Sequence, residues 1–191
     1  MTTTLSNHRI LIDEELKEFI SRGGIDECPF SLVNPASVNL TIGENAYIEK
    51  PISPITEGGL TVGSEMVHVD LSGYTSDNPF WLKPGQFILT DVKQYLRLTP
   101  FHMAQVVLRS SAGRLGFDHA ASGFVDPNYE GILTLEFKNW REYQPLKIYP
   151  GQQLVQLQIF RLAKAPTVDY AQTGRYHQAT MVECNKDKRI F

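Results

Sequence analysis

Short apolar segments separated by turn residues fill most of this chain, and they limit its fold more than any other feature of the sequence. Each segment is too short for a core helix, and most are rich in the branched or aromatic side chains that favour strands. Two of them follow the turn dipeptides Pro84-Gly85 and Pro150-Gly151. The predicted strands are 37–42, 87–90, 103–108, 132–137, 146–148 and 154–160. Many short strands at close spacing predict a mainly β sandwich or barrel.

One segment, residues 9–22, shows helical periodicity instead. Asp13 is a candidate N-cap for this helix, and Gly23-Gly24 is a typical helix end. The apolar residues that recur at helical spacing are Leu11, Ile12, Leu16, Phe19 and Ile20. The sequence therefore predicts a single N-terminal helix ahead of the strands.

The length of 191 residues predicts one domain over 1–191, with an N-terminal helical segment at 1–24. Residues 50–79 are rich in Gly, Pro, Ser and Thr, and we expect them to form a loop or irregular arm. The tail, 166–191, is polar and has little periodicity.

Composition excludes several classes of partner. The formal net charge is −3, so no global basic field predicts binding to DNA or RNA. A nucleotide remains compatible, because a few local arginines can hold a small polyanion. No apolar run approaches the roughly 18 residues of a membrane span, so we expect no membrane partner. Cys28 and Cys184 are too isolated for a disulfide framework, which favours a reducing, cytoplasmic location.

The tripeptide Arg109-Ser110-Ser111 follows a predicted strand and precedes a possible helix start. Free N–H groups and hydroxyls at such a point form an anion site, and an arginine adds bidentate phosphate recognition. The simpler interpretation is a strand end with an N-cap serine and a solvated arginine. The tripeptide alone leaves both interpretations open.

Two further polar positions lie between and within the next strands. Asp126 belongs to a turn, where it either stabilises the turn or holds a sugar hydroxyl, and Tyr129 nearby could stack on a ring. Glu136 lies inside an apolar strand whose alternation puts it with Ile132 and Thr134 on one face. A glutamate on the less apolar face is usually just solvated, whereas inside a cleft it would suit proton transfer.

Taken together, these residues resemble the dCTP deaminase/dUTPase family. Residues 109–116, Arg-Ser-Ser-Ala-Gly-Arg-Leu-Gly, are close to the deaminase pattern Arg-Ser-Ser-Leu-(Ala/Gly)-Arg-Leu-Gly. Further elements occur in the family's order. They are Asn34-Pro35-Ala36-Ser37-Val38-Asn39-Leu40, Pro84-Gly85-Gln86-Phe87, Gly123-Phe124-Val125-Asp126-Pro127, Thr134-Leu135-Glu136 and Tyr170 to Gln178. The resemblance covers most of the chain, and these motifs in the right order make it specific.

The resemblance implies a distorted, dUTPase-like β-barrel with short helical segments that assembles as a homotrimer with active sites between subunits. It implies zinc-independent deamination of dCTP to dUTP and ammonia, with Mg²⁺ bound through the triphosphate rather than by protein side chains. It also raises dTTP as a candidate inhibitor, and the tail 166–191 would close the active site.

Residue roles follow from the same resemblance. Glu136 would move protons, and Ser110 and Arg114 would position the attacking water and the glutamate. Asp126 would bind the 3′-hydroxyl. Other substrate contacts would come from the residues that bind the triphosphate, the loop that reads the base and the tail: Arg109, Ser110, Ser111, Ser122, Tyr170, Arg175 and Gln178. Tyr129 is a further candidate for substrate binding because of its place near Asp126.

Zinc independence also follows from residue types alone. Zinc deaminases need an H-x-E…P-C-x-x-C arrangement of ligands. This chain has no C-x-x-C, and its two cysteines stand far apart. Any deamination here is therefore expected to be zinc-independent. In the mechanism that the resemblance implies, Glu136 would serve as both base and acid.

Several departures from the family pattern leave the function open at this point. Asn39 stands where the family commonly has aspartate, and the loop from Gly116 to Asp126 is one residue shorter. Phe124 after Gly123 resembles the branch that also cleaves the triphosphate to give dUMP, whereas the deaminase-only branch has arginine there. The loop residue His119 could touch substrate, although lone histidines are more often structural. A dUTPase, which would not need Glu136, and a non-enzymatic nucleotide-binding regulator also fit the sequence.

Overall fold

In the computed structural model, the described residues are 9–51, 64–120 and 123–185. Three α-helices are present there: α1 (Asp13–Ser21), α2 (Ser110–Leu115) and α3 (Tyr170–Thr173), with a 3₁₀ turn at Phe30–Leu32. The strands are β1 (Arg9–Ile10), β2 (Val33–Asn34), β3 (Ser37–Leu40), β4 (Ile42–Pro51), β5 (Ser64–Asp70), β6 (Phe80–Leu82), β7 (Phe87–Arg97), β8 (His102–Leu108), β9 (Phe117–His119), β10 (Phe124–Val125), β11 (Glu130–Asn139), β12 (Leu146–Ile148) and β13 (Val155–Arg161). The prediction of a mainly β fold with an N-terminal helix and short helical segments is confirmed.

The described strands form two large sheets and one separate two-stranded sheet. One sheet has the order β10-β8-β13-β3-β2, with β1 also paired to β13, and the other has the order β5-β4-β7-β11-β9. Strands β6 and β12 pair with each other. All the strand pairings are antiparallel, as expected for a chain of short strands joined by turns.

One continuous cluster of buried apolar side chains joins these parts. It includes Val38 and Leu157 from the first sheet, Ile88 and Phe137 from the second, and Leu16 from α1. Because burying such side chains is the main force that stabilises a fold, the two sheets and the helix depend on one shared core.

The predicted helix 9–22 is shorter than expected at its start. Residues Arg9 and Ile10 pair with the end of β13 instead, and Ile12 is extended, with φ −114° and ψ 165°. Asp13 is therefore the first helical residue rather than the N-cap. The expected end is correct, since Gly23 has a φ of +81°.

The expectation of a loop or irregular arm over 50–79 is wrong for part of that range. Strand β5 pairs with β4 in register from Asn45 opposite Asp70 to Pro51 opposite Ser64. Strand β5 is an edge strand with no fully buried side chain among those described, so its sequence lacks the apolar run that marks an inner strand. Residues 52–63 lie outside the described part of the chain.

Within the described ranges, no helix is long and apolar enough to cross a membrane.

Candidate active site

A cavity of about 560 Å³ opens on the second sheet, where the tail crosses it. Its wall combines β11, β7 and the edge strands β5 and β9 of that sheet with β8 and β10 of the first sheet, the turn before β11 and the tail. The residues that line it are Met66, Phe87, Leu89, Val106, His119, Phe124, Val125, Asp126, Tyr129, Ile132, Leu133, Thr134, Glu136, Tyr170, Tyr176, Ala179, Glu183 and Asn185. Such a mainly apolar cavity with a few polar groups is typical of a ligand site.

Glu136 reaches this cavity because of its place in β11. The strand alternates between buried and half-buried side chains, and Thr134 and Glu136 both line the cavity. Leu135 and Phe137 are buried in the core on the other face, as the sequence pattern predicted. Leu133 also lines the cavity, because the register of β11 and β7 shifts between Ile132 and Thr134.

His119 lies near enough to Glu136 for the charge of the glutamate to act on its imidazole. Strand β9 pairs with β11, with His119 opposite Phe137, and the two rings meet edge-on at 5.5 Å. Burial lowers the pKa of His119, and the charges of Glu136 and Asp118 act in the opposite direction. The Nε2 atom of His119 is buried with no hydrogen-bond partner among the described residues. The cavity wall thus holds a neutral imidazole beside a carboxylate.

The turn before β11 places Asp126 and Tyr129. Asn128 takes a φ of +63°, and the Tyr129 N–H donates to the Asp126 carbonyl at 3.2 Å. The Asp126 side chain is exposed at the cavity, whereas Tyr129 is buried, and burial raises the pKa of its phenol. The phenol therefore stays protonated and donates to the carbonyl of Ile132 at 2.9 Å.

The tail supplies Tyr170, whose ring centroid lies 5.4 Å from that of Tyr129. Its phenol accepts a hydrogen bond from the Tyr176 N–H at 3.2 Å. Arg175 and Gln178 are exposed and do not line the cavity. Of the predicted site residues, the structure brings Glu136, Asp126, Tyr129 and Tyr170 together. Ser122 lies outside the described residues.

The Arg109-Ser110-Ser111 element lies apart from this cavity. Ser110, Ser111 and Arg114 belong to α2 and are exposed, and none of them lines the cavity. Arg109 precedes the helix, and its Nη1 donates to the backbone oxygen of Gln153 at 3.1 Å and to its side-chain oxygen at 3.2 Å. In the described chain, the predicted site residues therefore fall into two groups. The cavity half contains Glu136, Asp126, Tyr129 and Tyr170, and the triphosphate half contains Arg109, Ser110, Ser111 and Arg114.

The charge of the cavity lining indicates that the cavity alone cannot bind the triphosphate of a nucleotide. The lining contains three carboxylates, Asp126, Glu136 and Glu183, and no lysine or arginine among the described residues. A triphosphate placed there would face only like charges, which repel it. Cations from another element must complete any triphosphate site.

Several residues that line the cavity could not be assigned from the sequence. His119 was only a candidate there, and Met66, Glu183 and Asn185 were missed. The residues around them in sequence do not indicate a site. Met66 and His119 reach the cavity through the pairing of β5 and β9, and Glu183 and Asn185 reach it because the tail docks on the sheet.

A family model described as dCTP deaminase-like matches residues 10–162. The chain therefore belongs to the dCTP deaminase-like family. A protein named dCTP deaminase, dUMP-forming, from Nanoarchaeum equitans is 32% identical over 93% of this chain and 98% of that protein. A protein with the same name from Dictyoglomus thermophilum is 32% identical over 88% of this chain and 89% of that protein. Another from Methanothermobacter thermautotrophicus is 34% identical over 82% of this chain and 81% of that protein.

Among solved structures, the 2′-deoxycytidine 5′-triphosphate deaminase from Agrobacterium tumefaciens matches with a TM-score of 0.63 and 21% identity. The match covers 82% of this chain and 49% of that chain, so this chain spans about half the length of its structural neighbour. This likeness shows that the two share a fold, and the dUTPase-like fold class predicted from the sequence is confirmed.

Proposed function

We propose that this protein deaminates dCTP and releases dUMP, ammonia and pyrophosphate. The observation that carries the proposal is Glu136 in the cavity wall beside His119, with Asp126 and Tyr129 on the same cavity. Family membership and the names of the relatives support dCTP as the substrate.

In the first step, Glu136 acts as general base and then as general acid. Its carboxylate takes a proton from water as the water oxygen bonds to C4 of cytosine, and the same proton then passes from Glu136 to N3. Glu136 next carries the proton of the new C4 hydroxyl to the exocyclic nitrogen. The C4–N bond breaks, C4 becomes a carbonyl, and ammonia leaves with Glu136 again a carboxylate. One water is consumed, and the product is dUTP.

The second step would hydrolyse dUTP to dUMP and pyrophosphate with another water. Phe124, exposed and on the cavity, supports this bifunctional form, because it follows Gly123 as in the dUMP-forming branch. All eight of the relatives compared in detail bear the name dUMP-forming. Release of dUTP without cleavage is the alternative product.

Binding roles follow from where the side chains lie. Asp126, exposed on the cavity, is proposed to accept a hydrogen bond from the 3′-hydroxyl and so to select a deoxyribonucleotide. Tyr170 already lies on the cavity, and Arg175 and Gln178 are proposed to close over the triphosphate with it. Any nucleotide with the same sugar and phosphates, dTTP included, would then compete for the site.

The triphosphate half is proposed to come from a neighbouring copy in a homotrimer. The cavity has three carboxylates and no described arginine or lysine, while Ser110, Ser111 and Arg114 are exposed on α2. Arg109, oriented by Gln153, would give bidentate phosphate contacts across the subunit interface.

Magnesium is proposed to bind with the nucleotide. Within the described residues, no group of three or more His, Cys, Asp or Glu side chains could hold a metal ion. The proposed ion is held by phosphate oxygens of the nucleotide, where it would neutralise charge on the triphosphate. A cytoplasmic location is proposed because Cys28 and Cys184 are both free thiols.

One assay tests the proposal: incubation with dCTP and magnesium, with ammonia and pyrophosphate measured together. Equal yields of both support the dUMP-forming enzyme. Ammonia alone would identify a deaminase that releases dUTP. Pyrophosphate from dUTP without ammonia from dCTP would identify a dUTPase, and no turnover of either would favour a nucleotide-binding regulator.

A further inference from the structure

The tail forms backbone hydrogen bonds along the edge of β11 that β9 leaves uncovered. The Gln178 N–H donates to the Glu130 carbonyl at 2.7 Å, and the Ile132 N–H donates to the Ala179 carbonyl at 2.8 Å. Gly131 lies between them and pairs with Ala179 in parallel. This pairing fixes the tail as far as Ala179, but it does not reach the residues that follow.

Beyond Ala179, two side chains of the sheet accept backbone N–H groups from the tail. The Val182 N–H donates to the Asp91 carboxylate, and the Glu183 N–H donates to Thr134 Oγ1 at 3.2 Å. Asp91 and Thr134 are opposite each other in the pairing of β7 with β11. Residues opposite each other in a sheet share a face, so the two acceptors lie side by side under consecutive tail residues.

Asp91 is buried and held in one orientation. Its side chain is 4% exposed, and it accepts the Asn45 backbone N–H at 3.0 Å and the Asn45 side-chain amide at 2.8 Å. It lies where the register of β4 and β7 shifts, and a Cβ at Gly43 would overlap its carboxyl. A buried carboxylate that accepts several N–H groups forms strong, directional bonds. The acceptor for Val182 is thus fixed by the sheet rather than by the tail.

Two cavity residues depend on this attachment. Val182 is 2% exposed, Glu183 follows it, and Glu183 and Asn185 both line the cavity. We propose that Asp91 and Thr134 are positioning residues, which hold the tail on the sheet so that Glu183 and Asn185 form part of the wall around the nucleotide. The attachment itself is independent of the chemistry, and only its effect on the nucleotide rests on the proposed function.

Hydrogen exchange of the nucleotide-free protein tests the attachment. In Thr134→Val, we expect amide exchange in the peptide covering 178–185 to rise about fivefold, the effect of losing one hydrogen bond. Thr134→Ser keeps the acceptor and should exchange like the wild type. Thr90→Val is the matched control, because Thr90 Oγ1 is buried on the neighbouring strand with no hydrogen-bond partner in the described chain. Unchanged exchange in Thr134→Val would overturn the proposal.

Kinetics with dCTP test the consequence for the site. Asp91 does not line the cavity, so an effect of Asp91→Asn on the nucleotide has to pass through the tail. We expect KM for dCTP to rise at least threefold, with kcat changed less than twofold, in Asp91→Asn. A wild-type KM together with faster tail exchange would overturn the positioning role. Absence of dCTP turnover in the wild type would refute the proposed function instead, and the exchange data would still decide the attachment.

Discussion

His119 lies close enough to Glu136 on the neighbouring strand for the carboxylate to raise the imidazole pKa, yet burial lowers that pKa by more. The imidazole of His119 is therefore neutral near neutral pH and lies on the cavity wall with Glu136. His119 is then a polar neighbour of the residue that is proposed to transfer protons.

Replacing Glu136 by Gln should abolish ammonia release from dCTP while leaving nucleotide binding largely intact. The amide fills the same space but cannot take a proton from water, and losing a general base costs about 10²- to 10⁴-fold in rate. Ammonia release and nucleotide Kd are the measurements. Glu44→Gln is the matched control, since Glu44 is exposed on β4 and does not line the cavity. Undiminished ammonia release in Glu136→Gln would refute the mechanism.

Acid should weaken the fold through two histidines. Burial lowers the pKa of His102 and of His119 below the ordinary 6.5, and Arg161 adds to the effect at His102. As pH falls below 6.5, the unfolded chain takes up these protons first. Their contribution to stability is therefore complete above 6.5 and is lost as pH falls toward the lowered values, by at most about 1.4 kcal/mol per pH unit for each histidine.

Urea unfolding at about pH 7.5 and about pH 5.5 measures this loss. The His102→Gln variant should lose less free energy of unfolding between the two pH values than the wild type. The exposed His68 provides the control, and His68→Gln should behave like the wild type. If His102→Gln and the wild type lost the same free energy of unfolding between the two pH values, His102 would not be a source of the acid sensitivity.

Much of the site could be predicted because it depends on local patterns. Alternation along β11 correctly separated Glu136 from the buried Leu135 and Phe137, and the turn chemistry around Asp126 correctly placed a polar turn before that strand. Both depend only on residues close together in sequence.

Contacts between distant segments could not be predicted in this way. The place of His119 depends on the pairing of β9 with β11, and Glu183 reaches the cavity only because the tail docks on the sheet. The start of α1 was misplaced for the same reason, since Arg9 and Ile10 are drawn into the sheet by β13. The helical periodicity of residues 9–22 does not indicate this pairing of Arg9 and Ile10 with β13.

Gly131→Ala should loosen the tail and destabilise the fold. Gly131 has a φ of +141°, and a Cβ there would lie 2.9 Å from the backbone nitrogen of Ala179. Backbone strain of this kind costs about 1–3 kcal/mol. We expect that loss in the free energy of unfolding, together with faster proteolysis of the tail. Gly73→Ala is the control, because nothing lies within 4 Å of its Cβ position. A tail that stays protected in Gly131→Ala would show that the pairing with Ala179 does not hold it.

Two inactive variants should restore activity when they form mixed oligomers. Glu136→Gln damages the cavity half of the site, and Arg109→Ala damages the triphosphate half, whose residues do not line the cavity. If each site takes one half from each of two neighbouring copies, random mixing leaves about a quarter of the sites intact. Ammonia release from the co-expressed pair should therefore approach about a quarter of the wild-type rate, while each variant alone stays inactive. Mixed oligomers with no recovered activity would place both halves of the site within one chain.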